Sequence, residues 1–176
     1  MERQKQSAWR DYAAAVLAAV AVAALFVVFV AQPFVVEGSS MEPSLREGER
    51  LVVSKASYRF GRPGRGDVIV FRYPVDRRVR FIKRVIGLPG ETVAIRDGRV
   101  LINGRPLSEK YLADVTLGEF GPVRVPPGHL FVLGDNRSNS RDSRYPEVGM
   151  VSYRDVIGKA VAVYWPPAMV GAVRGR

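Results

Sequence analysis

The sequence predicts a mostly β protein with partly closed sheets, behind a single apolar helix. From residue 32 onward, short runs rich in Val, Ile, Phe and Tyr alternate with turn residues, a pattern typical of strands. No long helical period appears in this part, whereas residues 13–31 form one unbroken apolar run. The prediction is therefore a short N-terminus at residues 1–12, a helix at 13–31 and a β domain at 32–176.

The apolar run, AAAVLAAVAVAALFVVFVA, contains no charged or strongly polar side chain. At about 1.5 Å per residue, a helix of this length covers roughly the ~30 Å hydrocarbon core of a bilayer. A cleaved secretory signal is the alternative, but its apolar region is usually about 7–15 residues long and ends in small residues. A cut after Ala31 would place the bulky Phe29 at the third position before it. We therefore expect an uncleaved transmembrane helix.

Basic residues flank only one end of this run. Arg3, Lys5 and Arg10 precede it, and the first basic residue after it is Arg46. The positive-inside rule then places residues 1–12 in the cytoplasm and the β domain outside it.

Seven segments have the composition and length of strands. They are Arg50–Ser54, Asp67–Tyr73, Val79–Gly87, Thr92–Arg96, Arg99–Ile102, His129–Leu133 and Val156–Tyr164. Asp97-Gly98 is a strong signal for a two-residue hairpin, and Asn103-Gly104 marks another turn. Gly61–Gly66 and Pro122–Gly128 are expected to be turn-rich connectors.

The composition excludes several kinds of site. The 176-residue chain has a net charge of +10, from 27 Lys and Arg against 17 Asp and Glu. Such an excess suits nucleic acid or anionic lipid, but no DNA- or RNA-binding motif is present, so no nucleic-acid partner is expected. The absence of cysteine excludes disulfides and thiolate metal sites, and no metal or other cofactor is expected.

Two adjacent serines, Ser39 and Ser40, raise the question of a nucleophile and its base. The single histidine, His129, begins an apolar strand, where a structural role is more common. A Ser-His-Asp arrangement would also need an acidic partner, for which Asp135 and Asp142 are available.

A buried lysine is the other candidate base, because burial disfavours its charged form. Lys55 and Lys110 lie in polar, turn-like sequence. Lys83 and Lys159 share a strand face with apolar residues, which are Phe81 and Val85 for the first and Ile157, Val161 and Val163 for the second. The pattern does not separate these two lysines, and strand lysines usually extend to water.

The stretch GDNRSNSRDSR, residues 134–144, is dense in small polar and charged side chains. Such composition is typical of a solvated loop. The functional interpretation is a network of hydroxyl and carboxylate groups that orients a buried amine, braced by an Asp142–Arg144 pair.

In order along the chain, these segments resemble the type I signal peptidases, membrane-bound serine proteases that remove signal peptides from exported proteins. GSSMEPSL resembles the family's Ser-Met-x-Pro nucleophile motif, and RGDVIVF its Gly-Asp strand. FIKRVIGLPGE resembles its Lys-Arg motif, and GDNRSNSRDSR its last motif. Four motifs in order behind an apolar helix make the resemblance specific.

The resemblance implies an antiparallel β fold like that of signal peptidases and SOS-type repressors, with a Ser/Lys dyad. Ser40 corresponds to the nucleophile and Lys83, rather than Lys159, to the general base. Ser140 corresponds to the serine that orients the lysine amine, and Asp142 and Arg144 to the pair that holds this segment. No catalytic role is implied for the histidine.

The resemblance also implies how substrate binds. The backbone N–H of Ser40 is the expected oxyanion donor; some members add a serine hydroxyl at the position of Gly38, and this chain does not. Precursors with small residues at the first and third positions before the cut are the expected partners. They would lie extended beside Val35–Ser39 and Phe81–Ile82, with Val36 and Ile82 as apolar pocket walls. The implied location is a bacterial plasma membrane, with the bilayer as a further partner.

The chain departs from the family's motifs at two positions, and two other kinds of protein remain as alternatives. Ser138 stands where many members have an acidic residue, and Glu91 where they have aspartate. The short spacing from Lys83 to Gly134 indicates the minimal form of the family.

Self-cleaving SOS repressors share the chemistry but need a DNA-binding helical domain, for which residues 1–12 are too short. A non-enzymatic, membrane-tethered basic β domain that binds anionic lipid explains the charge but not the ordered motifs.

Overall fold

The computed structural model describes residues 9, 12–23, 31–59 and 61–173. Residues 12–23 are helical, in agreement with the start of the predicted helix. Residues 24–30 of that prediction lie outside the described residues, and Ala31 is wrongly included in it because it begins the first strand. Within the described part of the chain, no helix is long and apolar enough to cross a bilayer.

The rest of the described chain is built from twelve strands. They are β1 (Ala31–Val35), β2 (Arg50–Ser54), β3 (Val68–Arg72), β4 (Arg80–Gly87), β5 (Thr92–Arg96), β6 (Arg99–Ile102), β7 (Arg105–Pro106), β8 (Phe120–Arg124), β9 (His129–Leu133), β10 (Val151–Ser152), β11 (Val156–Trp165) and β12 (Gly171–Ala172). Single 3₁₀ turns lie at Ala56–Tyr58, Tyr153–Asp155 and Pro167–Met169. The prediction of a mostly β protein is confirmed.

The strands form two antiparallel sheets. The larger has the order β1-β2-β11-β3-β4-β9-β10, with β12 also paired to β11, and the smaller has the order β7-β6-β5-β8. In the large sheet, β3 and β4 pair with Ile69 opposite Lys83. β9 pairs with β4 only from Arg84 onward, so the first half of β4 has one edge without a strand partner among the described residues.

The predicted strands agree closely with the observed ones. β2, β5, β6 and β9 have the predicted bounds, β4 and β11 differ by one residue at one end, and β3 differs by one residue at each end. β1 was not predicted, because it follows the apolar run directly and contains Pro33. β8 lies partly in the expected connector Pro122–Gly128, but the segment pairs with β5 at the edge of the small sheet. The other missed strands, β7, β10 and β12, have two residues each.

The hairpin signals are confirmed by the backbone. Asp97 and Gly98 have φ of 49° and 74° between the paired residues Arg96 and Arg99, which is the conformation that a two-residue turn between β5 and β6 requires. Asn103-Gly104 makes the turn between β6 and β7 in the same way.

Apolar side chains join the two sheets and fix the segment after Ser40. Ile86 of β4 and Phe131 of β9 pack with Val93 of β5 in one buried cluster, so the small sheet covers one end of the large one. In another cluster, Met41 and Leu45 pack beneath β2, β3 and β11. A fully buried side chain of this size contributes roughly 1.5–3 kcal/mol, so these two residues anchor the turn that carries Ser40.

Candidate active site

Ser40 lies on a tight turn between β1 and β2. Gly38 begins the turn with φ of 75°, a conformation that favours glycine. The two ends of the loop are tied together, because Val36 donates to Glu49 and Gly48 donates to Val36, each at 2.9 Å between backbone N and O. Ser40 therefore sits on a turn that is anchored by its backbone before the serine and by buried side chains after it.

Lys83 reaches Ser40 from β4. Its Nζ is 2.7 Å from Ser40 Oγ and 2.8 Å from the carbonyl oxygen of Ile82. The same nitrogen lies 5.3 Å from the centre of the Phe81 ring, as expected for residues on one strand face. The structure thus joins two residues that are 43 positions apart in the sequence.

The environment of Lys83 favours a neutral amine. The residue is only 4% exposed, and this burial lowers the pKa of Lys83 from 10.5 to about 8. The carboxylates of Asp142 and Asp135 act in the opposite direction and raise it, but burial dominates. An amine with this pKa can accept the proton of a serine hydroxyl near neutral pH.

The rival bases are engaged elsewhere. Lys159 Nζ forms an ion pair with Asp67 Oδ1 at 2.6 Å, and its side chain is 36% exposed. His129 Nδ1 is 2.9 Å from the carbonyl oxygen of Pro127. The structure therefore distinguishes the two lysines that the strand pattern left equivalent.

Asp142 and Arg144 brace the last motif. Arg144 donates from Nε to Asp142 Oδ1 at 2.8 Å and from Nη2 to Asp142 Oδ2 at 2.9 Å, a two-point contact. Asp142 is fully buried and also accepts from the backbone N of Gly134 at 3.1 Å, while Arg144 donates to the carbonyl of Arg137 at 2.8 Å. The pair thus holds both ends of the loop that passes behind Ser40.

Ser140 is buried against Gly134, beside the dyad. A Cβ at Gly134 would collide with Ser140 Oγ and with the carbonyl oxygen of Ser40, so glycine permits this close approach. Ser140 Oγ has no hydrogen-bond partner among the described residues. Its role in orienting Lys83 stays a prediction.

A cleft of about 690 Å³ opens at the dyad. Its lining residues are Pro33, Phe34, Val35, Glu37, Ser40, Arg78, Val79, Arg80, Phe81, Ile82, Lys83 and Arg141. Three of the four residues predicted to contact substrate are among them. Val36, the fourth, is 1% exposed and packs in the core cluster with Met41, so the structure differs from its predicted place on the cleft wall.

The two strands beside the cleft both offer backbone to an added strand. β1 pairs only with β2 in the described part of the chain, and it lies at the end of the large sheet. Across the cleft, Arg80–Lys83 of β4 has its unpaired edge. An extended peptide can therefore hydrogen-bond with one strand or with both.

Residues 9–165 match the family described as signal peptidase, peptidase S26. The chain belongs to this signal peptidase family. It is 46% identical over 151 residues to a signal peptidase I from Leptolyngbya laminosa, covering 81% of this chain and 73% of that protein. It is 40% identical over 174 residues to a signal peptidase I from Bacillus amyloliquefaciens, covering 93% of this chain and 89% of that one.

A solved relative supports the same assignment. The crystal structure of a signal peptidase I from Enterococcus faecalis V583 has 41% sequence identity and a TM-score of 0.51, covering 56% of this chain and 97% of that one. As a member of the S26 family, the signal peptidase described here is a serine endopeptidase.

Sequence reasoning missed a buried ion pair behind the signal peptidase dyad. Arg84 Nε and Nη2 contact Asp135 Oδ1 and Oδ2 at 2.8 and 2.6 Å, and Arg84 Nη1 donates to the carbonyl of Gly66 at 2.9 Å. Both side chains are fully buried. The signal was present in the sequence, since strand alternation places Arg84 on the face opposite Lys83, where the neighbouring residues are apolar.

Two asparagines that the sequence analysis did not single out hold the serine turn. The backbone N of Asn136 donates to the carbonyl of Ser40 at 3.1 Å, and its side chain donates to the carbonyl of Ser39 at 3.2 Å. Asn139 Nδ2 donates to Ser39 Oγ at 2.9 Å. The loop at residues 134–144 therefore positions the turn that carries Ser40.

Proposed function

We propose that this signal peptidase removes N-terminal signal peptides from exported precursors, with Ser40 as the nucleophile and Lys83 as the general base. The observation that carries the proposal is the 2.7 Å contact between Lys83 Nζ and Ser40 Oγ at a nearly buried amine. A lysine in this setting serves where other serine proteases use a histidine.

The reaction is acyl transfer in two steps. Neutral Lys83 takes the proton of Ser40 Oγ as this oxygen bonds to the scissile carbonyl carbon. The tetrahedral intermediate then collapses, the C–N bond breaks, and the Lys83 ammonium returns the proton to the leaving amine. In the second step, Lys83 deprotonates a water that attacks the ester carbon, and the proton then passes to Ser40 Oγ as the acid is released.

The oxyanion is stabilised by the backbone N–H of Ser40. This N–H takes no part in the backbone hydrogen bonds of the described loops, which leaves it available to substrate. Gly38 contributes no side-chain donor, although the space beside its Cα is open.

The precursor binds as an added strand in the cleft, with the residues before the cut running along β1 and the first half of β4. Ile82 is buried beside the dyad and Phe81 faces the cleft, so the walls near Ser40 are apolar. Small residues at the first and third positions before the cut fit these walls. Val36 supports them from the core.

The apolar run that precedes β1, residues 13–30, is proposed to anchor the enzyme in a bacterial plasma membrane, with residues 1–12 in the cytoplasm. Its composition and its flanking charges support this orientation. The bilayer then holds the cleft close to the point where signal peptides leave the membrane.

The test is cleavage of a secretory precursor by the full-length protein in detergent. We expect Ser40→Ala and Lys83→Ala each to abolish cleavage, because each removes one half of the dyad. Lys159→Ala and His129→Ala serve as controls and should retain cleavage, since their partners are Asp67 and Pro127.

Full activity of Lys83→Ala would refute the assigned base. A wild-type protein that binds anionic vesicles but never cleaves a precursor would refute the enzymatic proposal and favour the lipid-binding alternative.

A further inference from the structure

The cleft beside the dyad is cationic. Its charged lining consists of four basic residues and one acidic one, namely Arg78, Arg80, Lys83 and Arg141 with Glu37. The Lys83 amine is committed to Ser40, and Arg78 contacts Asp76 with both arms of its guanidinium at 3.0 and 3.1 Å. Arg80 and Arg141 therefore contribute most of the positive charge that a substrate meets.

Arg141 combines an anchored backbone with an exposed side chain. Its neighbours Ser140 and Asp142 are both buried, and Asp142 is bonded to Gly134 and Arg144. The side chain of Arg141 itself is 63% exposed and forms an ion pair with Glu147 at 3.5 Å. An exposed pair at this distance contributes little, so a carboxylate from another molecule can replace Glu147 at small cost.

Arg141 reaches the cleft from a loop rather than from one of the two bordering strands. β1 and the first half of β4 border the cleft on the side of the residues before the cut, as proposed above. Arg141 belongs to neither strand. It lies on the loop at residues 134–144, which contacts Ser40 from behind through Asn136. Arg141 lines the same cleft as Ser40, so a side chain of the precursor close to the cut can reach its guanidinium.

We propose that Arg141 is a specificity-determining residue of this enzyme, which binds an acidic side chain of the precursor close to the cut. The inference rests on the proposed function and deepens it, because it names the chemistry of the substrate residues that this enzyme prefers beside the cut. A guanidinium is suited to this role, since its planar arrangement of donors matches a carboxylate in two-point contact.

The experiment compares matched precursors that carry Glu, Gln or Lys, in turn, at three positions beside the cut: the second position before it and the first two positions after it. The kcat/KM ratio of the Glu to the Lys precursor is measured for wild type, Arg141→Glu, Glu147→Gln and Arg105→Glu. Arg105→Glu is the matched control: it makes the same charge change at an exposed residue of β7, in the small sheet and outside the lining of the cleft.

At one of the three positions, we expect wild type to favour Glu over Lys by about threefold to tenfold, the range of a partly exposed ion pair. Arg141→Glu should invert this ratio, because attraction becomes repulsion. Glu147→Gln should increase it by removing the competing carboxylate. Arg105→Glu should leave it unchanged, and about 0.5 M salt should reduce it in wild type.

Two results would overturn the proposal. One is an unchanged Glu to Lys ratio in Arg141→Glu at all three positions. The other is an equal loss of cleavage on all precursors, which would mean that Arg141 acts only through its structural pair with Glu147. The Gln precursor separates this failure from a failure of the proposed function. If wild type cleaves the Gln precursor but shows no preference between Glu and Lys, only the role of Arg141 is refuted. If wild type never cleaves the Gln precursor, the proposed function and the role of Arg141 are both refuted.

Discussion

The pH dependence of cleavage follows directly from the burial of Lys83. The perturbation is pH itself, because only the neutral amine can accept the proton of Ser40. Burial lowers the pKa of Lys83 to about 8, so the active fraction of the enzyme should rise through this value. An exposed lysine would remain charged over the whole range in which the protein is handled.

The size of the effect can be worked out from this pKa. At pH 7, a lysine with a pKa of about 8 is neutral in about a tenth of the molecules, and at pH 9 in about nine tenths. A lysine at its ordinary pKa of 10.5 would be neutral in only about one molecule in 3,000 at pH 7. We therefore expect kcat/KM to increase about tenfold from pH 7 to pH 9 and to level off there.

The assay is kcat/KM for one neutral precursor across pH 6 to 10.5, with kcat/KM chosen because it reports the free enzyme. A control at each pH confirms that the protein remains folded. The reasoning would be refuted by a rate that keeps rising tenfold per pH unit up to pH 10, which would mean an amine at its ordinary pKa. A rate independent of pH from 6 to 9 would refute it as well.

Two further predictions concern stability and packing. Lys83→Met should be inactive but more stable than wild type at pH 7. Because the pKa of Lys83 is lowered in the folded state, keeping the charged lysine buried reduces the free energy of unfolding of wild type by up to roughly 3 kcal/mol below pH 8. The variant avoids this penalty, although it loses the contacts of Lys83 to Ser40 and Ile82, which offsets part of the gain. In urea unfolding, the free energy of unfolding of wild type should increase relative to that of Lys83→Met as pH rises from about 8 to 10.5. A difference in stability that does not change with pH would contradict the argument. Gly134→Ala should lower kcat on the order of a hundredfold, because its Cβ would push Ser140 and the Ser40 carbonyl apart. Gly171→Ala is the control, because Gly171 has open space around it and, like Gly134, no positive φ. Equal activity of the two variants would show that the close approach at Gly134 is not needed.

The strands show where sequence reasoning succeeds and where it stops. β5 and β6 were predicted with their bounds because apolar runs flank Asp97-Gly98, and the turn type depends only on local backbone preferences. β8 was missed because part of it lies in Pro122–Gly128, where proline and glycine predict turns, and only the pairing with β5 makes the segment a strand. β1 was missed because nothing local separates it from the apolar run before it.

The candidate active site also combines residues that the sequence could identify with contacts that only the structure shows. The residue pattern offered Lys83 and Lys159 equally, and the choice between them at that point depended on resemblance to a family. In the structure, Lys159 forms an ion pair with Asp67, while Lys83 is nearly buried and contacts the hydroxyl of Ser40. The Arg84–Asp135 pair went unrecognised because strand alternation shows only that Arg84 has apolar neighbours, and it does not identify a partner in a distant segment.

By itself, the sequence determined the β character of the protein, most of its strands and turns, the family and the candidate nucleophile, because these depend on local preferences and on motifs in order. Only the tertiary structure decided that Lys83 is nearly buried and in contact with Ser40, that Val36 is in the core, and that Arg141 lines the cleft. The physical reason is that burial and charge proximity arise between segments distant in the chain, and these two quantities set the pKa on which the chemistry depends.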